Sequence, residues 1–458
     1  MARASSWPSA VLLLALLLHA GSSADAGSAQ QPTSPRIAAL AHALERGDLD
    51  AQEAFWKTVQ GGHTPLIEPA PDSPGEMLVT FVWRENPNWP GGVSVFATLG
   101  ETTGPVERRQ PWPLERLAKS DLWYRTVRMS DRARFSYQFS RRIDHVKADD
   151  PTNVELEGIP YELFIDALNP KRFKLRSSAQ GEPVETSYAE GPRAPTDLFF
   201  AQRPVPRGQV QRLEYASAEL GNRRFVSVYT PPGAAGGCAE CALLVLFDAE
   251  PFESAVPTAT ILDNLLAAGL IRPTVAILIG NVSPAARIAE LRPDPRLTRF
   301  VTRDLLPWVR ERYRFTRDPR YSVIAGSSLG GLAATYIGFE HPEMFGNVIS
   351  LSGAHWWWPG FDEHSDFNRL LNADSGWLTH AIAQGEKRPL RFYLDVGTWE
   401  GAVMLLPNRL LRDVLIARGY EVDYHEFVGG HDYVCWRSAL AEGLIRFLGQ
   451  GPGSSQGH

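Results

Sequence analysis

Cysteine is scarce: there are three in a chain of 458 residues, too few for a disulfide scaffold. A basic excess is missing as well. The formal net charge is −6 at pH 7, which argues against general nucleic-acid binding, since that needs a basic face; a local basic pocket for an anionic substrate is still allowed. Beyond the first residues no apolar run approaches the roughly 20 residues of a membrane span. Internal repeats are absent, which excludes a repeat architecture. What remains is ordinary for a globular protein: 44% hydrophobic and 21% charged residues, with a length that suits two or three domains.

Met1 and Arg3 lead into an apolar run from Val11 to Leu18, and Ala24-Asp25-Ala26 has the A-x-A form of a cleavage site. That is the layout of a secretory signal peptide over residues 1–26, cut after Ala26. The run is too short for a retained anchor. The mature chain is therefore expected in the periplasm or secreted, with no membrane insertion. Cys238 and Cys241 form a C-x-x-C in a Gly/Ala-rich loop. No helix start or second ligand pair supports a redox or zinc role, so a loop-stapling disulfide is expected. Cys435 is expected to be a buried free thiol, and no metal site or cofactor is expected.

Residues 27–75 read as a linker and short helices, with Ile37, Leu40, Leu44 and Phe55 at helical spacing. From 76 to 180 the period changes to short strand-like runs separated by Pro/Gly/Asn turns, which predicts a β-sandwich. Residues 181–208 read as an inter-domain linker. From 209 to 450 strands and helices alternate, and the central strands are continuously apolar, as in a mostly parallel sheet covered on both faces. Residues 451–458 read as a disordered tail. The fold class is thus α/β, an α/β-hydrolase fold behind an N-terminal β-sandwich.

Within that second half, Gly326-Ser327-Ser328-Leu329-Gly330 sits between an apolar strand and a helix, the context that makes G-x-S-x-G a nucleophile elbow. A nucleophilic Ser328 needs a base, and the base needs a group to orient it. On this architecture they follow in the order Ser, Asp/Glu, His, on loops after later strands. Glu400 follows the strand ending at Val396, and His431 follows the strand ending at Phe427. Asp395 is a rival acid and Asp432 a weaker one. The Leu329 amide and that of Glu250, or of its neighbour Ala249, are the expected oxyanion donors. Asp248 is expected to brace that turn.

These residues carry a resemblance. The runs 326–331, Leu351-Ser352-Gly353-Ala354-His355-Trp356-Trp357-Trp358-Pro359 and Gly429-Gly430-His431-Asp432-Tyr433-Val434-Cys435-Trp436-Arg437 resemble the ferric enterochelin (enterobactin) esterases. Segments 64–68, 79–84 and 166–170 resemble that family's N-terminal domain. The resemblance implies an immunoglobulin-like domain ahead of the hydrolase, and hydrolysis of the serine trilactone of a catecholate siderophore, with iron present only as part of the substrate. It also implies roles for Ser328, His431 and the carboxylate after Gly397-Thr398, and places Arg287, in Arg287-Ile288-Ala289-Glu290-Leu291, near the substrate. His355 and Ala249 depart from the family's usual tyrosine and glycine. Catechol rings suit flat aromatic surfaces and a ferric tris-catecholate is anionic; Trp356 and Trp357, with Trp358 and Arg287, are the candidate binding residues, at least one tryptophan being expected in the core. Two other readings remain: a carbohydrate-ester (feruloyl-type) esterase or acyltransferase, and a non-catalytic siderophore-binding protein.

Overall fold

The computed structural model describes residues 33–449 except 49, 87–92, 98–111, 145–152, 157–158, 177–181, 197 and 362–375. The expected leader and tail lie outside the described residues. Among those described, no helix is long and apolar enough to cross a membrane.

Helix α1 (Pro35–Glu45) starts where Ser34 Oγ accepts the Ile37 N–H at 3.3 Å, ahead of a proline that needs no donor partner. Helix α2 (Ala51–Val59) follows. Next come β1 (Leu66–Pro69), β2 (Glu76–Arg84), β3 (Ser94–Ala97), β4 (Trp112–Pro113), β5 (Glu115–Arg116), β6 (Leu122–Ser130), β7 (Arg134–Arg142), β8 (Asn153–Leu156), β9 (Ile159–Phe164), β10 (Arg172–Leu175) and β11 (Val184–Glu190). They form two antiparallel sheets, β1-β2-β6-β5 and β10-β11-β7-β3-β4, with β9 pairing β7 and β8 pairing β9. Met77, Val79 and Phe81 of β2 meet Phe135, Tyr137 and Phe139 of β7 in the sandwich core. Val82 faces the other way, onto Ile37, Leu40, Trp56 and Val59 of the helices. β2 is therefore buried on both faces, and each such apolar side chain contributes about 1.5–3 kcal/mol.

Two sequence expectations change here. The segment expected as linker and short helices supplies β1, paired with β2 from Leu66↔Thr80 to Pro69↔Met77. The expected linker 181–208 supplies β11, which lies between β10 and β7. Polar Glu185, Thr186 and Ser187 hid this strand, but Ser187 is buried and its Oγ accepts the Asp166 N–H at 3.0 Å.

The second domain is an eight-stranded sheet among the described residues. Its strands are β12 (Gln209–Ser217), β13 (Asn222–Thr230), β14 (Ala242–Phe247), β15 (Thr274–Ile279), β16 (Ser322–Ser327), β17 (Asn347–Leu351), β18 (Arg391–Gly397) and β19 (Glu421–Phe427), in the spatial order β12-β13-β15-β14-β16-β17-β18-β19. From β15 to β19 all neighbours are parallel. Helices α3 (Ala249–Ser254), α4 (Thr258–Ala267), α5 (Pro284–Glu290), α6 (Pro295–Arg299), α7 (Leu306–Arg310), α8 (Leu329–Glu340), α9 (Trp377–Gln384), α10 (Gly401–Ala417) and α11 (Tyr433–Leu448) connect them. Leu243, Val245 and Phe247 point into one core and Leu244 and Leu246 into the other, which is why these strands read as unbroken apolar runs. α8 is apolar nearly all round and correspondingly buried. The loops after β14, β16, β18 and β19 leave one edge of this parallel sheet, the edge where sites of open α/β sheets form.

Candidate active site

Ser328 joins β16 to α8 with φ 57° and ψ −124°, a backbone conformation costly for a residue with a side chain. The neighbouring main chain holds it. Its N–H donates to Leu351 C=O at 2.9 Å, and its own C=O accepts from Ala354 N–H at 2.9 Å. Gly326 is required by close approach, because a Cβ there would collide with the Gly330 backbone. The turn thus presents the Ser328 side chain at the sheet edge.

Glu400 lies one loop beyond β18 and is buried. Its Oε1 accepts from Gly397 N–H at 2.7 Å and from Ser352 Oγ at 2.5 Å, and its Oε2 lies 2.6 Å from His431 Nδ1. The indole of Trp436 packs edge-on to the His431 ring at 4.9 Å and donates to Ser352 Oγ at 3.0 Å. Ser352 follows Leu351, the residue holding the Ser328 amide, so a short run of contacts links the elbow to the Glu400–His431 pair. Among the described residues Ser328 Oγ and His431 Nε2 make no hydrogen bond. Such contacts are often long without substrate and tighten in the complex.

The rival acids are otherwise engaged. Asp395 Oδ1 accepts from Ser352 N–H at 3.3 Å, and Oδ2 has no hydrogen-bond partner among the described residues. Burial above all, then the charge of Glu400, raises its carboxyl well above the usual range, which favours its protonated form. Asp432 accepts from Val434 N–H at 3.1 Å and from Ser136 N–H at 2.6 Å.

The expected oxyanion donors occupy two helix starts. Leu329 opens α8, and Ala249 and Glu250 open α3, where first-turn amides lack intrahelical acceptors. The Glu250 carboxyl accepts the Asn281 N–H at 3.2 Å, and burial foremost raises its pKa, while its own backbone N–H and that of Asn281 oppose the rise. Asp248, in the left-handed region at φ 62°, receives Arg287 Nε at 2.6 Å, Arg287 Nη2 at 2.7 Å and Asn281 Nδ2 at 2.7 Å. A Cβ at Gly330 would lie 3.1 Å from Asp248 Oδ2, so this carboxylate also abuts the elbow.

The three expected binding residues all have partners within the protein. Arg287, expected beside substrate, is clamped on buried Asp248; burial disfavours its charge, but Asp248 outweighs burial and raises the guanidinium above its ordinary value. Trp356 and Trp357 are both core residues. Trp356 Nε1 donates to Met404 Sδ at 3.1 Å, and Trp357 packs on Trp377 at 5.9 Å, because their loop turns under α9 and α10. Trp358 is partly buried against Phe361 at 5.4 Å. His355 is buried and neutral, its pKa lowered to about 3 by burial, with Nε2 3.1 Å from Ser350 Oγ.

Residues the sequence reading missed are Ser352, Trp436, Asn281 and Tyr433. Tyr433 is two positions from His431 and lies beside Asp248, Arg287 and Glu250, where burial chiefly raises its phenol. Ser352 and Trp436 stand inside the family-like runs; nothing local marked Asn281. Cys238 and Cys241 are joined in a disulfide and Cys435 is a buried free thiol.

Residues 217–447 match the esterase family model, and residues 78–198 match that of the enterochelin esterase N-terminal domain. The chain is 31% identical over 407 residues to the iron(III) enterobactin esterase of Escherichia coli O6:H1, covering 86% of this chain and 95% of that one. It superposes on the ferric enterobactin esterase of Salmonella typhimurium with a TM-score of 0.70 at 28% identity, over 86% of this chain and 98% of that chain. For the enterobactin esterase of Shigella flexneri crystallised in the presence of enterobactin, the TM-score is 0.66 at 26% identity, over 86% and 97%. With both domains matched, an elbow at Ser328 and a buried carboxylate on His431, the chain is a carboxylic-ester hydrolase and belongs to the enterochelin (enterobactin) esterase family.

Proposed function

We propose that the protein is a serine esterase that hydrolyses the ester bonds of a catecholate siderophore trilactone of the enterobactin type and so weakens its hold on iron. The observation that carries this reading is the His431–Glu400 pair at 2.6 Å on loops that share a sheet edge with the Ser328 elbow. Ser328 Oγ attacks the ester carbonyl carbon while His431 Nε2 takes its proton, and Glu400 fixes the tautomer and stabilises the imidazolium. The tetrahedral oxyanion takes hydrogen bonds from Leu329 N–H and an amide at the start of α3. Collapse breaks the C–O bond, and His431 returns the proton to the departing alkoxide. Water, deprotonated by His431, then cleaves the acyl-enzyme and regenerates Ser328.

The Arg287–Asp248 clamp braces the oxyanion loop in this account, and Tyr433 offers an aromatic ring where that loop nears the His431 loop. No cofactor enters; iron arrives with the substrate. The match of residues 78–198 to the enterochelin esterase N-terminal domain favours a siderophore over a carbohydrate ester. We also assign the protein to the periplasm, from the leader-like residues 1–26 and the Cys238–Cys241 disulfide, which suits an oxidising compartment. N-terminal sequencing of the exported protein tests cleavage after Ala26. The test of function is mass spectrometry of products from a ferric trilactone: the wild type yields linear esters and monomer, and Ser328→Ala yields none above background. Wild-type rates from Ser328→Ala would end the reading.

A further inference from the structure

The loop carrying His431 is gripped by the other domain. At the start of β7, Arg134 N–H donates to Val428 C=O at 3.1 Å, Ser136 N–H donates to Asp432 Oδ2 at 2.6 Å, and Arg134 C=O accepts from Cys435 Sγ at 3.4 Å. The Arg134 guanidinium, almost fully buried, reaches Ser438 Oγ at 3.2 Å and Glu190 at 2.9 Å. These contacts bracket His431 on both sides in the chain. Gly429 has no room for a side chain, since a Cβ would lie 2.9 Å from Arg134 O and 2.7 Å from Cys435 Sγ. Arg437 completes the seam: its guanidinium stacks on Phe173, Tyr188 and Phe200 at 5.0, 5.4 and 4.6 Å and donates to Ala255 C=O at 2.7 Å.

The run from Gly429 to Arg437 therefore has two jobs. His431 and Trp436 face the Glu400 network, whereas Gly429, Asp432, Cys435 and Arg437 face the sandwich or its linker. The Ser136–Asp432 bond is the strongest link, a backbone donor on a carboxylate in a buried setting. Its cross-strand neighbour in β11 does not compete for it: Tyr188 sends its own N–H to Lys171 C=O at 3.0 Å.

We propose that the N-terminal sandwich positions the catalytic histidine, with Ser136 N–H and Asp432 as the positioning pair. Apart from this grip the His431 loop is held by Glu400, Trp436, the bond from Trp399 N–H to Gly429 C=O at 3.0 Å and the packing of Tyr433 on Phe252. The proposal rests on His431 being the base of the esterase reading, but its physical content is the geometry of the His431–Glu400 pair, which needs no substrate to be observed.

The test is Ser136→Pro in the full-length protein, which deletes the N–H while leaving the Asp432 carboxylate and its cap on α11 in place. Two readouts are taken: kcat and KM on a ferric trilactone, and the downfield proton resonance of His431 Nδ1 bonded to Glu400. The expected result is a kcat about 10–100-fold lower with KM changed by less than about twofold, the scale set by an ångström of misplacement, together with a shifted or broadened resonance. A folded Ser136→Pro protein with wild-type kcat and an unaltered resonance overturns the proposal. Should that variant not fold, Asp432→Asn is read the same way, with loss of kcat and of the sharp resonance expected and wild-type values of both contradicting it. If Ser328→Ala kept full activity the serine reading would fail, yet the resonance would still report whether β7 holds the histidine.

Discussion

His431 Nδ1 and Glu400 Oε2 are 2.6 Å apart, and the Glu400 carboxylate is fixed from its other side by Gly397 N–H and Ser352 Oγ. The orientation of the imidazole is thereby set by a group that cannot turn away: its donors come from the strand end and from Ser352, itself held by Trp436. Nδ1 is engaged by the carboxylate, which leaves Nε2 for proton transfer. Glu400→Gln keeps the shape but removes the charge that stabilises the imidazolium, and kcat is expected to fall about 10²–10⁴-fold. Steady-state kinetics with a check of thermal unfolding reads this out.

Asp395→Asn is the matching control. Burial and the charge of Glu400 both push the Asp395 carboxyl toward its neutral form. Asparagine preserves the acceptor for Ser352 N–H, so kcat is expected to change less than about threefold, within the reach of one uncharged hydrogen bond. A loss as large as that of Glu400→Gln would assign the acid role to position 395 instead.

The Arg287–Asp248 clamp predicts a stability effect of unusual size for an arginine. Arg287→Met leaves a fully buried carboxylate with Asn281 as its remaining side-chain partner, a change expected to cost about 3–5 kcal/mol. Removing both charges, as Arg287→Met with Asp248→Asn, is expected to restore part of that loss. Urea unfolding of the single and double variants measures the coupling.

His355 makes stability depend on acid. Its folded pKa of about 3 lies below the unfolded value near 6.5. The unfolded chain therefore binds the extra proton first, so the stabilisation is complete above pH 6.5 and is lost as pH falls toward 3. His355→Gln removes that proton uptake. Between pH 7 and pH 4.5 the wild type is expected to lose about 2 kcal/mol more than the variant, measured as the difference in urea unfolding free energy at the two pH values.

The catalytic sheet was legible because its chemistry is local. Leu243 to Phe247 must be apolar on both faces, and Ser328, Glu400 and His431 each follow a strand directly. Features set by distant partners were not. Arg287 meets a carboxylate 39 positions away, and no spacing rule announces it. Trp356 and Trp357 follow a strand end as binding aromatics could, but α10 brings Met404 onto Trp356 and α9 brings Trp377 onto Trp357. β11 escaped notice because its buried residues include Thr186 and Ser187, the latter hydrogen-bonded through Oγ, rather than an apolar run.

The most direct measurement of the central claim is peptide mapping after labelling with a fluorophosphonate, which reacts with a serine activated by a neighbouring base. The account predicts a single adduct on Ser328 that forms far more slowly in His431→Ala and Glu400→Gln. Labelling at another serine, or labelling of Ser328 at the wild-type rate in His431→Ala, would contradict it.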